Sequence, residues 1–111
     1  GLGMQYTPAR KLLDAGAALA ISTDWNPGSA PMGDLLVQAS LLGIYEKLSS
    51  AEILAGITFR AAAALGLKDR GTLAKGMLAD MIAFPISDYR DIFYNQGKIK
   101  PDMVWKKGEL V

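Results

Sequence analysis

Asp24, Asn26, Gly28 and Ser29 have the types and spacing that best suit chemistry, because they lie together in one short segment. A carboxylate such as that of Asp24 can bind a metal ion or move a proton. The amide, backbone and hydroxyl donors of the other three can face a bound anion, and a helix beginning near Pro31 would direct its positive end the same way. The group predicts half of a site; the alternative is that these residues only form a turn capped by Asp24.

Other polar and aromatic residues are weaker candidates. Trp25 can stack on a substrate, and packing beside a strand end is the equally common alternative. Asp80 precedes an apolar run and is expected to fix a turn by accepting backbone amides. Arg60 and Arg70 can bind an anion, although solvated or ion-paired arginines are commoner at protein surfaces. We therefore expect structural roles for Asp80, Arg60 and Arg70, and both roles stay open for Trp25.

Composition excludes several classes of function. The chain has 111 residues, 12 basic and 11 acidic, a net charge of +1, and neither Cys nor His. A zinc site of thiolates or imidazoles, a Ser-His-Asp mechanism and a disulfide scaffold are therefore excluded within this chain. The mixed charges provide no clustered basic surface for nucleic acid or an anionic membrane. Apolar runs are interrupted before the roughly 18 residues that a membrane span needs, so we expect a soluble, cytoplasmic protein.

A helix followed by an apolar run must position Asp24. The helix is expected over residues 9–15, with Thr7 as its N-cap and Gly16 at its C-terminus. Residues 17–21 form an unalternating apolar run, which suits a strand buried on both faces in a parallel sheet. Because Asp24 follows this run closely, it is expected at the carboxyl end of a strand, where α/β folds place functional residues.

The pattern changes from helical to β-rich along the chain. A helix is expected from about Pro31 to residue 47, and Ser49 with Glu52 predicts a capping box ahead of the next helix. A further helix is expected to run through residue 64, with Thr58 as its cap. The predicted strands are residues 80–84 and a closing hairpin over 103–111, with a helical turn or loop between them.

Three stretches resemble one known family: Ser22 to Ser29, Thr58 to Leu67, and Gly71 to Asp80. Together they resemble the carboxyl-terminal third of metal-dependent amidohydrolases. The resemblance implies an α/β fold, in which this chain is the carboxyl-terminal part of a (β/α)8 barrel plus strands of a small β-sandwich. Residues 1–70 would supply the last helix and strand of the barrel and the helices that follow, and residues 71–111 the sandwich strands.

The resemblance also implies a reaction and roles for the candidate residues. Asp24 matches the aspartate after the eighth strand, which ligates one zinc or iron ion and handles protons. Asn26, Gly28 and Ser29 match positions that hold a small-molecule substrate or product. The implied reaction is hydrolysis of the ring C–N bond of 4-imidazolone-5-propanoate to N-formimino-L-glutamate in histidine degradation. The other metal ligands of the family are histidines, and this chain has none. We therefore expect the chain to be an inactive piece of a larger enzyme. The resemblance also implies that this enzyme is a homodimer.

Two alternatives remain open at this point. A related amidohydrolase acting on a dipeptide, a cyclic amide or an aminated heterocycle would use the same barrel, because such barrels vary their chemistry through loops. A non-catalytic assembly module that stands alone is the second alternative.

Overall fold

The computed structural model describes residues 7–23, 34–95 and 98–111. Helices come first along the chain and most strands last. The elements, in order, are α1 (Ala9–Asp14), α2 (Leu35–Glu46), α3 (Ser50–Ile57), α4 (Phe59–Ala64), β1 (Met81–Ala83), α5 (Asp91–Tyr94), β2 (Met103–Lys106) and β3 (Glu109–Leu110).

Helix α1 begins at Ala9, as the sequence predicts, and ends at Asp14, one residue before the predicted end. Its N-cap is Pro8, whose side chain makes no capping bond, so Thr7 is not the cap. Gly16 has a positive φ of 89°, and the amides of Gly16 and Ala17 donate to the carbonyls of Leu13 and Leu12. This pair of bonds satisfies carbonyls that the helix leaves free and turns the chain toward residues 17–23.

Residues 17–21 are not a strand, which corrects the sequence prediction. Leu19 and Ile21 turn inward, whereas Ala18 and Ala20 are exposed. The amide of Ile21 donates to the Gly56 carbonyl rather than to a strand. A parallel strand needs strand neighbours in register, and the described part of the chain pairs none with this run. Helix α3 covers one face of the run instead.

Helix α2 begins at a cap that the sequence analysis did not identify. The side chain of Asp34 accepts a hydrogen bond from the amide of Val37, so the helix begins at Leu35. The predicted start near Pro31 lies outside the described residues. At the other end the helix finishes at Glu46, within one residue of the predicted end, and Lys47 caps it in a left-handed conformation with φ 55°.

The capping box at the start of α3 is confirmed. Ser49 Oγ accepts from the Glu52 amide, and Glu52 Oε1 accepts from the Ser49 amide. Thr58 was expected to cap α4, but its hydroxyl donates to the Leu54 carbonyl at 2.6 Å and makes no cap bond. The hydroxyl thus completes the end of α3 instead of the start of α4.

The predicted β-rich part forms an antiparallel sheet in the order β1-β2-β3. Ile82 faces Val104 across β1 and β2, and Trp105 faces Leu110 across β2 and β3. The closing turn has positive φ at Lys107 and at Gly108, which matches the twist of a two-residue hairpin.

One apolar cluster joins the helices to the later part of the chain. Its buried members are Ile21, Ala39, Ile53, Ile92 and Phe93. Helix α5 supplies the last two and packs against α2. The mixture of helix and strand agrees with the coarse α/β prediction. None of the described helices is long and apolar enough to cross a membrane.

Candidate functional site

The four predicted site residues, Asp24, Asn26, Gly28 and Ser29, lie outside the described residues, as does Trp25. The structure describes the two segments that flank them in the sequence. Thr23 is the last described residue on one side and Asp34 is the first on the other.

The flank before Asp24 is held against the last turn of α3. Ile21 is 8% exposed and belongs to the core cluster. Its amide donates to the Gly56 carbonyl at 2.9 Å. The backbone amide and the side chain of Ile21 thus both contact the helices. This fixes the position of Ile21 against α3, two residues before Thr23.

The flank after Ser29 is fixed by Asp34. One carboxylate oxygen, Oδ1, accepts from the Val37 amide at 3.1 Å, and the other, Oδ2, accepts from Lys100 Nζ at 2.7 Å. The Lys100 ammonium and, after it, the Val37 amide lower the pKa of Asp34. The ionised carboxylate thus caps α2 and ties it to the segment that enters β2.

The described residues do not fit a complete metal site. Within residues 7–23, 34–95 and 98–111, no group of three or more acidic, His or Cys side chains is arranged so that it could hold a metal ion. The chain has no His and no Cys at all, so the nitrogen and sulfur ligands that zinc or iron usually takes cannot come from it. Imidazole or thiolate ligands for a metal ion at Asp24 would have to come from outside this chain.

The remaining charged candidates have structural partners. Asp80 Oδ1 accepts from the Lys107 amide at 2.9 Å and so fixes the closing hairpin, as the sequence predicts. Arg70 pairs with Asp69 at 2.9 Å. The guanidinium carbon of Arg60 lies 5.0 Å from the centre of the Phe59 ring, a cation–π arrangement.

An open groove between α2, α3 and α5 was not anticipated from the sequence. Its lining includes Ile44, Asp88, Arg90, Phe93 and Tyr94. Arg90 pairs with Asp88 and lowers the pKa of that carboxyl to about 2. In the described part of the chain no buried side-chain polar atom lacks a hydrogen-bond partner, so no unpartnered buried polar group lines this groove.

Asp34, Lys100 and Gly56 hold the two flanking segments, and sequence analysis missed all three. Lys100 is distant from Asp34 in the sequence, and no local pattern signals their pairing. Gly56 interrupts a stretch of residues that otherwise favour a helix. Glycine is unfavourable inside a helix unless a close contact requires it, so its presence here could have indicated such a contact.

Comparison with known proteins places the chain in a family. The model of the amidohydrolase family matches residues 2–111. An imidazolonepropionase of Deinococcus deserti is 44% identical over 110 residues, which are 99% of this chain and 28% of the relative. Those of Paracoccus denitrificans and Deinococcus radiodurans are each 42% identical, over 84% and 86% of this chain and 23% and 24% of the relatives. The chain thus spans about a quarter of the length of these curated relatives. Because the family match covers nearly all of its residues, the chain belongs to the amidohydrolase family.

Proposed function

We propose that this chain is part of an imidazolonepropionase, which hydrolyses the ring C–N bond of 4-imidazolone-5-propanoate to N-formimino-L-glutamate. The observation that carries the proposal is the 44% identity to a relative of that name across 99% of the chain. Two further relatives of the same name support it at 42% identity. Because the chain spans only about a quarter of each relative, the activity is assigned to the full-length protein.

Asp24 is assigned to the reacting centre, and Asn26, Gly28 and Ser29 to substrate binding. The carboxylate of Asp24 is suited to taking a proton from water and passing it to a departing ring nitrogen. Neutral donors such as an amide and a hydroxyl suit the substrate carboxylate. The fixed positions of Ile21 before this segment and Asp34 after it support the assignment, since a site needs rigid supports.

The two parts of the chain are assigned to different layers of the full-length enzyme. Residues 1–70 are proposed to supply the last helix and strand of a (β/α)8 barrel, and residues 71–111 strands of a β-sandwich. In support, α1 to α4 all lie in the first range, and β1 to β3 lie in the second together with the short helix α5. On this proposal residues 17–21 become a strand when the neighbouring barrel strands are present to pair with them.

The amidohydrolase family implies a divalent metal ion, and we propose zinc or iron. The ion would supply Lewis-acid chemistry when bound. Asp24 is this chain's proposed ligand, and the others would come from outside the chain, since it lacks His and Cys. A cytoplasmic homodimer is proposed for the assembled enzyme.

The proposed function is tested by assaying the full-length protein on 4-imidazolone-5-propanoate and detecting N-formimino-L-glutamate. Asp24→Asn keeps the size of the side chain and removes its charge and basicity, so we expect kcat to fall roughly 10²- to 10⁴-fold. Asp80→Asn is the matched control, because Asp80 holds a hairpin turn and an amide oxygen can accept the same bond. Its kcat should stay within about twofold of wild type.

Two results would reject the proposal. An intact, metal-loaded wild-type protein that does not consume this substrate would move the assignment to another amidohydrolase activity, on a dipeptide, a different cyclic amide or an aminated heterocycle. Equal losses of kcat in Asp24→Asn and Asp80→Asn would remove the special role of Asp24.

A further inference from the structure

The connection from β1 to β2 is long for two strands that pair side by side. Met103 of β2 faces Ala83 of β1, and the Asp102 amide donates to the Ala83 carbonyl at 2.9 Å, so the two ends of the connection meet. Neighbouring antiparallel strands are usually joined by about two to five residues. This connection runs from residue 84 to residue 102. Connections of such length in compact folds usually have a role of their own.

The first part of this connection packs on the helices. We call residues 84–95, which contain α5, the strap. Ile92 and Phe93 of α5 are 7% and 5% exposed and belong to the buried apolar cluster. Phe84 and Ile86 pack against the same cluster. The strap thus places its apolar side chains among those of α2 and α3.

The strands have no comparable packing on the helices. In the described part of the chain, the strands pack mainly on one another, and the main contact between the elements after residue 70 and the helices before it is that of α5 with α2. The strands are three, four and two residues long, and most of their side chains are exposed. Because so short a sheet needs packing against another element to be stable, its stability depends on what holds it to the helices.

A salt bridge holds the end of the connection to the same helix. Lys100 Nζ donates to Asp34 Oδ2 at 2.7 Å, and Asp34 is the N-cap of α2. The pair is partly exposed to water, which screens the attraction. Buried apolar side chains such as those of α5 contribute more, so α5 is the main link between the sheet and α2.

We propose that the strap couples the sheet to the helices: the sheet opens when α5 leaves α2, so strap and sheet open together as one unit. The contact that carries this inference joins α5 to α2 and does not involve residues 17–23. It therefore holds whether or not residues 17–21 pair as a strand in the full-length enzyme. The inference goes beyond the proposed function, because it concerns how this part of the protein opens and involves no substrate.

The test is amide hydrogen exchange in two matched variants of the full-length protein. Ile92→Ala removes part of the contact between the strap and α2. Ile53→Ala removes the same atoms from the same cluster on α3, where Ile53 is 4% exposed. Peptides that cover residues 81–83 and 103–106 should exchange at least about tenfold faster in Ile92→Ala than in wild type. In Ile53→Ala the same peptides should stay within about threefold of wild type, while those of α2 and α3 exchange faster.

Two results would overturn the inference. Equal acceleration of the sheet peptides in both variants would mean that general loss of the core opens the sheet. Unchanged sheet exchange in Ile92→Ala would mean that the rest of the protein holds the sheet. If the alanine variants do not fold, Ile92→Val and Ile53→Val give the same comparison, with the sheet peptides about threefold faster in Ile92→Val. Exchange requires no substrate, so a failure of the proposed function on 4-imidazolone-5-propanoate leaves this test unaffected.

Discussion

Arg10 in α1 and Glu52 in α3 face each other through two parallel hydrogen bonds. Arg10 Nη1 donates to Glu52 Oε1 and Arg10 Nη2 donates to Glu52 Oε2, each at 2.8 Å. The same carboxylate accepts from the Ser49 amide in the capping box. One acidic side chain thus closes the start of α3 and holds α1 against it, which fixes the helix from which residues 17–23 depart.

The first prediction concerns the charge of Glu52. The Arg10 guanidinium and then the Ser49 amide lower the pKa of Glu52 from 4.5 to about 2. A lowered pKa contributes stability that is present above pH 4.5 and is lost as the pH falls toward 2. Glu52→Gln can keep the capping bonds but loses the charge.

We expect Glu52→Gln to lower the Tm of the full-length protein by about 1–3 °C near pH 7, since the pair is partly exposed and screened. Thermal melts of both proteins across pH should show this difference shrinking below pH 4.5. A difference that grows as the pH falls would contradict the ion-pair explanation.

The second prediction separates the two roles of Asp34, as a helix cap and as the partner of Lys100. Asp34→Ala removes the bond to the Val37 amide and the ion pair, and we expect a loss of about 1 kcal/mol, mainly from the cap. Asp34→Asn keeps an oxygen for the cap, and Lys100→Met removes only the ion pair. Each of these two variants should lose less than half as much unfolding free energy as Asp34→Ala.

The measurement for Asp34 is the exchange rate of the amides in the first turn of α2. Those amides should exchange fastest in Asp34→Ala. Raising the salt concentration should reduce the difference between wild type and Lys100→Met, because the pair is partly exposed. Identical exchange in all three variants would mean that Asp34 does not hold the start of α2.

The third prediction compares two glycines with positive φ. Gly71 has φ 99°, and a Cβ there would lie 2.9 Å from the Phe59 Cα and 3.0 Å from the Ala62 Cβ. Gly16 has φ 89° and nothing within 4 Å of the added atom. Gly16→Ala should cost about 1–2 kcal/mol from conformation alone, and Gly71→Ala about 1–3 kcal/mol more, because backbone atoms obstruct it. Chemical denaturation of the full-length variants measures the loss of unfolding free energy in each. Equal losses would show that α4 moves to accommodate the added Cβ.

Local signals along the chain predicted the helices and the sheet well. Ser49 and Glu52 specify a helix start through bonds between near neighbours, and Gly16 specifies a helix end through its own backbone freedom. The closing hairpin likewise follows from a short turn at Lys107 and Gly108. The residues that make these interactions lie close together in the sequence, so sequence analysis can identify them.

Contacts between distant residues could not be predicted in the same way. Lys100 meets Asp34 across 66 positions, and Gly56 meets Ile21 although helix α2 lies between them in the sequence. The apolar run before Thr23 was predicted as a strand because it is continuous, yet pairing depends on neighbouring strands that no local pattern supplies. The candidate site was therefore predicted from residue types and family resemblance, and its supports were found only in the fold.

The last prediction is that the isolated 111-residue chain self-associates and has no activity. Ile82, Val104 and Val111 form an apolar row across the sheet, because Ile82 faces Val104 and the Val111 amide donates to the Val104 carbonyl. Their exposed fractions are 53%, 39% and 85%. Among the described residues no large side chain is fully buried, so the core is small. One apolar face of the sheet is exposed to solvent. A small core and an exposed apolar face together favour association.

Sedimentation velocity over a range of concentrations should show species larger than the monomer and a broad thermal melt. Val104→Lys places a charge at the centre of the row and should shift the distribution toward monomer, whereas Lys106→Arg, on the same strand, should leave it unchanged. If the wild-type chain sediments as a single monomer and melts cooperatively, the small core is sufficient to keep the isolated chain folded, which would contradict the prediction. The exposed row would then have no part in assembly.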